Sequence, residues 1–198
     1  MSILVLTSDT LIGTPATGNI EYNGQFFGTD SNASRAQMQR ITSGTAVAST
    51  SGTSVDFTAL PSWVKRITVQ FSGVSTNGSS VIQVQLGTGS TSYTTSGYLG
   101  SSLASTSGSA PLISLVTTGI AIGPDGSATF VKHGTLVLTN ITGNTWVGNG
   151  NGGNSDVARV WTCGSSIALA ATLTAVRITT VSGTDLFDLG SVNILYEG

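Results

Sequence analysis

Short runs of alternating apolar and polar residues fill the sequence from about residue 53 onward, and they constrain the fold more than any other feature. WVKRITVQF (63–71) and SVIQVQLGT (80–88) are typical of them. In such a run successive side chains point to opposite faces of a strand. Turn signals separate the runs at Asn77-Gly78, Asp125-Gly126 and Gly183. About eight to ten strands without intervening helices predict an all-β fold, an antiparallel β-sandwich or jelly roll.

The N-terminal part has a different composition and predicts a separate, mostly irregular segment. Aromatic and basic residues cluster in it: Tyr22, Phe26, Phe27, Arg35 and Arg40. Residues 31–41, SNASRAQMQRI, contain good helix formers and predict one short helix. Residues 43–56 are rich in serine, glycine and threonine and predict a flexible linker. We therefore divide the chain into an N-terminal segment with its linker, 1–52, and a β-domain, 53–198.

The composition excludes several classes of function. Charged residues make up 8% of the chain, against about 25% in a typical soluble domain. The net charge of −2 provides no basic surface for nucleic acid. The N-terminus lacks the basic region of a signal peptide, and no apolar run is long enough for a membrane helix. Such a surface must be covered by hydroxyl, amide and backbone groups, or else be buried in an assembly.

No catalytic, cofactor or metal site is predicted. Gly148, Gly150 and Gly153 match a dinucleotide-binding spacing, but no helix follows them, so we interpret them as a mobile loop. His133 and Cys163 are each the single residue of their type, and the sequence leaves open whether they form a dyad. The chain is therefore predicted not to be an enzyme.

The best candidate for ligand recognition is the segment NITGNTWVGNGNGGNSD. An aromatic face combined with amide and carboxylate groups is what binding of a sugar requires. The candidate glycan contacts are Trp146, Asn149, Asn151, Asn154 and Asp156. The alternative is an ordinary turn, which uses the same residue types. The loop SYTTSGY, with Tyr93 and Tyr98, is a second and weaker candidate.

Three segments carry a family resemblance. ATGNIEYNGQFFGTDSNASRAQMQRI, DFTALPSWVKRITVQFSGVSTNGSS and DLFDLGSVNILYEG resemble the lead-in, the first strand and the last strand of bacteriophage tail-fibre and head-fibre proteins. The resemblance covers about half of the chain.

The resemblance implies a non-enzymatic homotrimer in the virion, assembled in the bacterial cytoplasm. Residues 1–42, with the aromatic and basic residues named above, would dock on other virion proteins of the tail or capsid, and the β-domain would attach to a host-surface glycan. The sequence contains no shaft repeat, which favours a short fibre. The alternative is a capsid decoration protein that stabilises the particle without binding a receptor.

Overall fold

The computed structural model describes residues 11, 13–14, 16–23 and 25–198. Residues 1–10, which belong to the stretch considered above for a signal peptide, lie outside the described residues. The described chain contains sixteen strands and no helix. The strands are β1 Ile20–Tyr22, β2 Phe26–Thr29, β3 Arg35–Gln37, β4 Ile41–Ser43, β5 Val47–Ala48, β6 Ser54–Phe57, β7 Arg66–Thr76, β8 Ile82–Gly87, β9 Leu99–Thr106, β10 Leu112–Leu115, β11 Ile120–Ala121, β12 Lys132–Thr142, β13 Thr145–Asn154, β14 Arg159–Ala168, β15 Ala175–Thr180 and β16 Phe187–Glu197.

The chain divides into two compact units, 1–40 and 41–198. In the first unit, β1, β2 and β3 form an antiparallel sheet with β2 at its centre. The predicted helix over 31–41 is wrong, because β3 occupies this stretch. Asp30 Oδ1 accepts hydrogen bonds from the backbone N–H groups of Asn32 and Ser34, both at 2.9 Å. This side chain fixes a turn and outcompetes a helix that is too short to be stable alone.

The second unit is an antiparallel β-sandwich, as predicted. Its large sheet has nine strands in the order β10-β9-β14-β13-β12-β7-β16-β4, with β5 also paired to β16. Its small sheet has four strands in the order β11-β8-β15-β6. All pairings in both sheets are antiparallel.

The predicted flexible linker over 43–56 is wrong, because this stretch forms strands of the sandwich. β4 and β5 pair with β16, and β6 pairs with β15. Between them, Ser49 is fully buried, and its Oγ donates a hydrogen bond to the carbonyl of Leu189 at 2.8 Å. The boundary between units therefore lies at 40/41 rather than at 52/53.

The core lies between the two sheets and follows the predicted alternation. Ile67, Val69 and Phe71 of β7 are buried. A Cβ added at Gly148 of the large sheet would lie 2.6 Å from Ile120 Cδ1 of the small sheet. The absence of a side chain at Gly148 thus lets Ile120 reach the opposite sheet, so that the two inner faces interdigitate.

The predicted turns connect the sheets in an unexpected way. Asn77-Gly78 leads from β7 in the large sheet to β8 in the small sheet, so it does not close a hairpin. Asn77 Oδ1 accepts a hydrogen bond from the N–H of Leu186 at 2.9 Å. A two-residue hairpin lies instead at Gly143-Asn144, between β12 and β13, with Gly143 at φ +50°. Glycine at the first central position suits this tight turn.

Candidate functional site

The segment predicted as a mobile Gly/Asn loop is β13, an internal strand of the large sheet. It pairs with β12 on one side and β14 on the other. Residues of β13 alternate between the two faces of the sheet. Gly148 and Gly150 face the core, whereas Asn149 and Asn151 lie on the exposed outer face. Glycine at the inward positions leaves room for side chains of the core, such as that of Ile120. This packing explains why β13 is a strand although its sequence contains few apolar residues.

Trp146 is not an exposed sugar-stacking platform, because its side chain packs in the core and is only 4% exposed. A small part of it borders a cleft of about 240 Å³ with Lys65 and Asn140. Asn154 lies eight residues further along β13, roughly 25 Å away at the rise of an extended strand. The predicted glycan contacts are therefore not brought together at one site.

Asn154 and Asp156 have a structural task at the far end of β13. Asp156 Oδ1 accepts hydrogen bonds from the N–H of Val131 at 2.7 Å and from Asn154 Nδ2 at 3.3 Å. These bonds tie the loop after β13 to the residue that precedes β12. Of the five predicted contacts, Asn149, Asn151 and Asp156 are exposed, and only Asn149 and Asn151 lie within the outer face of β13.

His133 and Cys163 do not form a dyad. Cys163 faces the core, whereas His133 is exposed on the outer face of the same sheet. Burial raises the pKa of the Cys163 thiol to about 11, so the thiol is protonated at neutral pH. His133 Nδ1 accepts a hydrogen bond from the N–H of Gly73 at 3.2 Å, and Nε2 lies 3.1 Å from Ser155 Oγ.

A second candidate site is a polar cleft on the outer face of the small sheet. It has a volume of about 360 Å³, and its lining is dominated by hydroxyl, amide and guanidinium groups. Side chains of β6, β8, β15 and the segment before β11 contribute, among them Ser54, Gln83, Gln85, Thr118, Arg177 and Thr179. A sheet face that carries such groups can donate and accept several hydrogen bonds to one ligand.

Arg177 supplies the charged group of this polar cleft, and two side chains, Asp56 and Tyr93, fix its position. Its Nε donates to Asp56 Oδ1 at 2.8 Å and its Nη2 donates to Asp56 Oδ2 at 2.7 Å, a bidentate pair. The guanidinium carbon lies 3.9 Å from the centre of the Tyr93 ring. The hydrogen bond to Asp56 is the main reason why the pKa of Arg177 is raised. The pair presents donors and acceptors while remaining neutral overall.

Two glutamines form the buried floor of the polar cleft. Gln83 Oε1 accepts a hydrogen bond from Thr118 Oγ1 at 2.8 Å, and Gln85 Nε2 donates to the carbonyl of Thr118 at 2.9 Å. Both glutamine side chains are buried although they lie on the outer face. Their amides are therefore held in one orientation by these hydrogen bonds.

Sequence reasoning missed this cleft as a site, although two of its signals are present. Gln83 and Gln85 interrupt the apolar residues of β8 at every second position. The loop SYTTSGY was a second candidate, and Tyr93 does stack on Arg177. Tyr98 of that loop lies in the core, where its hydroxyl oxygen accepts a hydrogen bond from the N–H of Leu86 at 2.8 Å and burial raises its pKa to about 12.

The N-terminal unit brings together some of the predicted docking residues. The rings of Tyr22 and Phe26 lie 5.0 Å apart and border a groove of about 280 Å³, together with Met38 and Arg40. Arg35 instead donates a hydrogen bond to Glu21 Oε2 at 2.6 Å within the same small sheet. Phe27 is half-buried on the strand between them.

Comparison with known protein families, curated proteins and solved structures gave no match. Among the described residues, no group of three or more histidine, cysteine, aspartate or glutamate side chains is placed to hold a metal ion. The same residues include no helix that could cross a membrane.

Proposed function

We propose that this chain is a bacteriophage virion protein, a short homotrimeric fibre that anchors by its N-terminal residues and displays the β-sandwich for attachment to a host-surface glycan. The polar cleft on the small sheet is the observation that carries the adhesion part of the proposal. The groove beside Tyr22 and Phe26 supports the anchoring part, because an aromatic groove on a small sheet is suited to docking on another protein.

The chemistry of the polar cleft matches a polyhydroxylated ligand. Hydroxyl and amide groups pair with sugar hydroxyls, and the neutral Arg177–Asp56 pair offers both donors and acceptors. Its volume of about 360 Å³ lies in the range of small-molecule sites, about 300–1,000 Å³. Asn149 and Asn151, on the other sheet, remain a predicted second contact surface.

Binding of the full-length chain to a glycan array and to host cells tests this proposal. We expect Arg177→Ala to weaken glycan binding at least tenfold, because it removes the charged donor and leaves Asp56 without its partner. Arg66→Ala is the matched control, since Arg66 is also ion-paired, with Glu197 at 3.1 Å, but lies on the large sheet. The adhesion proposal fails if the unaltered chain binds neither glycans nor cells.

A capsid decoration protein is the second candidate. The exposed apolar side chains of the N-terminal unit favour it, since Ile20 is 68% exposed and Met38 is 47% exposed. Such side chains suit a large permanent interface with a capsid. In that case the chain would stabilise the particle, and the polar cleft would have no ligand.

A further inference from the structure

Aliphatic side chains are concentrated at one edge of the outer face of the large sheet. We call this group the edge patch, and it consists of Leu99, Leu103, Ile113, Leu115 and Val160. The strand register brings them together: Leu103 pairs with Ile113, Ser101 pairs with Leu115, and Ser105 pairs with Val160. Alternate residues of neighbouring strands share a face, so all five side chains point away from the core.

The edge patch is comparable in size to the largest apolar patch of a typical monomer, and such a patch is often functional. Leu99 and Leu115 are each 73% exposed, Ile113 is 66% exposed and Val160 is 60% exposed. Together the five side chains expose on the order of 400 Å² of apolar surface. A standard interface covers about 800 Å² on each partner, so the neighbouring serine and threonine side chains would be covered with it.

The three strands that carry the edge patch present no charge on this face. Arg159 is the one charged residue of β9, β10 and β14, and it points to the opposite face, where it pairs with Asp125 and donates to Thr106 Oγ1. Further across the sheet the outer face becomes polar, with Thr135 and Asn151 among its exposed residues. The apolar character is therefore local to this edge.

β10 adds a second property, because it is the terminal strand of the large sheet. Its sequence, LISL, contains no lysine, glutamate or proline and shows no bulge. Its protection against pairing with other chains comes from its length of four residues and from Pro111 directly before it. Its outward side chains, Ile113 and Leu115, extend the edge patch to the last strand of the sheet.

We propose that the edge patch is the surface through which copies of this chain associate, each edge patch packing against that of another copy. A surface that lies on a symmetry axis contacts the same surface of another copy. Because the edge patch is aliphatic and uncharged, this contact brings no like charges together. Absence of charge also removes the electrostatic attraction that a nucleic acid or an anionic membrane surface would require. In a trimer the three edge patches would meet around the axis. The inference rests on the assembly part of the proposed function and names its surface.

Light scattering on the full-length chain tests this inference. We expect the double variant Ile113→Glu/Leu115→Glu to fall to the mass of a single 20.0 kDa chain, because glutamates at the axis repel and lose hydration. The matched control is Asn149→Glu/Asn151→Glu, which places the same charges at the same spacing on an exposed part of the same face. Circular dichroism and thermal unfolding confirm that both variants remain folded.

Cross-linking gives an independent readout. The single native thiol, Cys163, is buried, so a cysteine introduced at Leu115 would be the accessible one. With copper phenanthroline as oxidant, we expect Leu115→Cys to form a disulfide-linked pair of chains at least tenfold faster than Asn151→Cys.

The outcomes separate this inference from the proposed function. A monomeric unaltered chain overturns both the edge-patch interface and the trimer. An oligomer that persists in Ile113→Glu/Leu115→Glu, or is lost equally in the control, overturns the edge patch alone, as does equal cross-linking at Leu115 and Asn151. A dimer that dissociates only in the edge variant supports the edge patch and contradicts the trimer. Glycan binding is measured separately and does not bear on the edge patch.

Discussion

At the scale of single residues, Lys132 is the most unusual side chain of the sandwich. It faces the core from β12 and is 1% exposed. Within the described part of the chain, its Nζ has no hydrogen-bond acceptor and lies 5.4 Å from the centre of the Phe130 ring. Burial lowers the pKa of Lys132 to about 8. The negative charge of Asp125 opposes this shift, and the positive charge of Arg159 adds to it. The charged form is therefore disfavoured in the folded state.

This pKa predicts the pH dependence of stability. The unfolded chain holds the proton up to about pH 10.5, whereas the folded chain releases it near pH 8. Between these values the unfolded state binds more protons, so stability rises with pH. We expect the free energy of unfolding of the unaltered chain, relative to Lys132→Met, to increase by about 1 kcal/mol from pH 7 to pH 9 in urea titrations. If the free energies of unfolding of the two chains changed by the same amount over this range, the lowered pKa of Lys132 would be contradicted.

Two other buried groups set the upper limit of that pH window. Burial raises the pKa of Cys163 from 9.0 to about 11 and that of Tyr98 from 10.0 to about 12. Above pH 9 these groups ionise more readily in the unfolded chain, so they lower stability as the pH rises. Comparison with Lys132→Met cancels both contributions, because the two groups are present in each chain.

Two strands, β7 and β13, show how much of the fold the sequence could predict. The buried face of β7 was predictable because Ile67, Val69 and Phe71 alternate with polar residues. β13 was not, because glycine occupies its inward positions 148 and 150 and gives no apolar signal. A strand with glycine inside and asparagine outside has the composition of a loop. Trp146 was misplaced for the same reason.

At the scale of elements, the stretch from β4 to β6 decides where the sandwich begins. Ser49 is held by two hydrogen bonds, from its N–H to the carbonyl of Gly190 at 2.9 Å and from its Oγ to that of Leu189. We expect a fragment 53–198, which lacks β4 and β5, to be less stable than 41–198 by about 2 kcal/mol, or about 5 °C in thermal unfolding. β16 loses its partners on that side, which exposes a new sheet edge.

Point variants in 41–198 provide the control for this comparison. Ser49→Ala removes the part-buried hydrogen bond from Ser49 Oγ to the carbonyl of Leu189, at a cost of about 1 kcal/mol. Ser51→Ala makes the same change at a nearby exposed serine and should be neutral. Equal melting temperatures for 41–198 and 53–198 would restore the boundary at 52/53. The composition could not locate it, because serine and threonine serve both linkers and strands that carry hydroxyl groups.

At the scale of the whole molecule, the sandwich class was predictable but the strand order was not. β7 lies between β12 and β16, which are distant from it in sequence. No local pattern encodes such pairing, and the polar cleft depends on it. Asp56 and Arg177 meet across β6 and β15, and they are 121 residues apart in the chain. The cleft could therefore be found only once the strands of the small sheet were assembled.

Experiments on whole phage particles distinguish the two proposed functions, a fibre and a decoration protein. If the sandwich is displayed for attachment, particles assembled without this chain should adsorb to host cells at least tenfold more slowly, while their loss of infectivity on heating stays unchanged. Particles that carry the Arg177→Ala chain should show the same adsorption defect, because the polar cleft is impaired while the N-terminal unit is intact. Lower heat resistance with normal adsorption would instead identify a decoration protein, since a surface that only fastens the capsid needs no cleft.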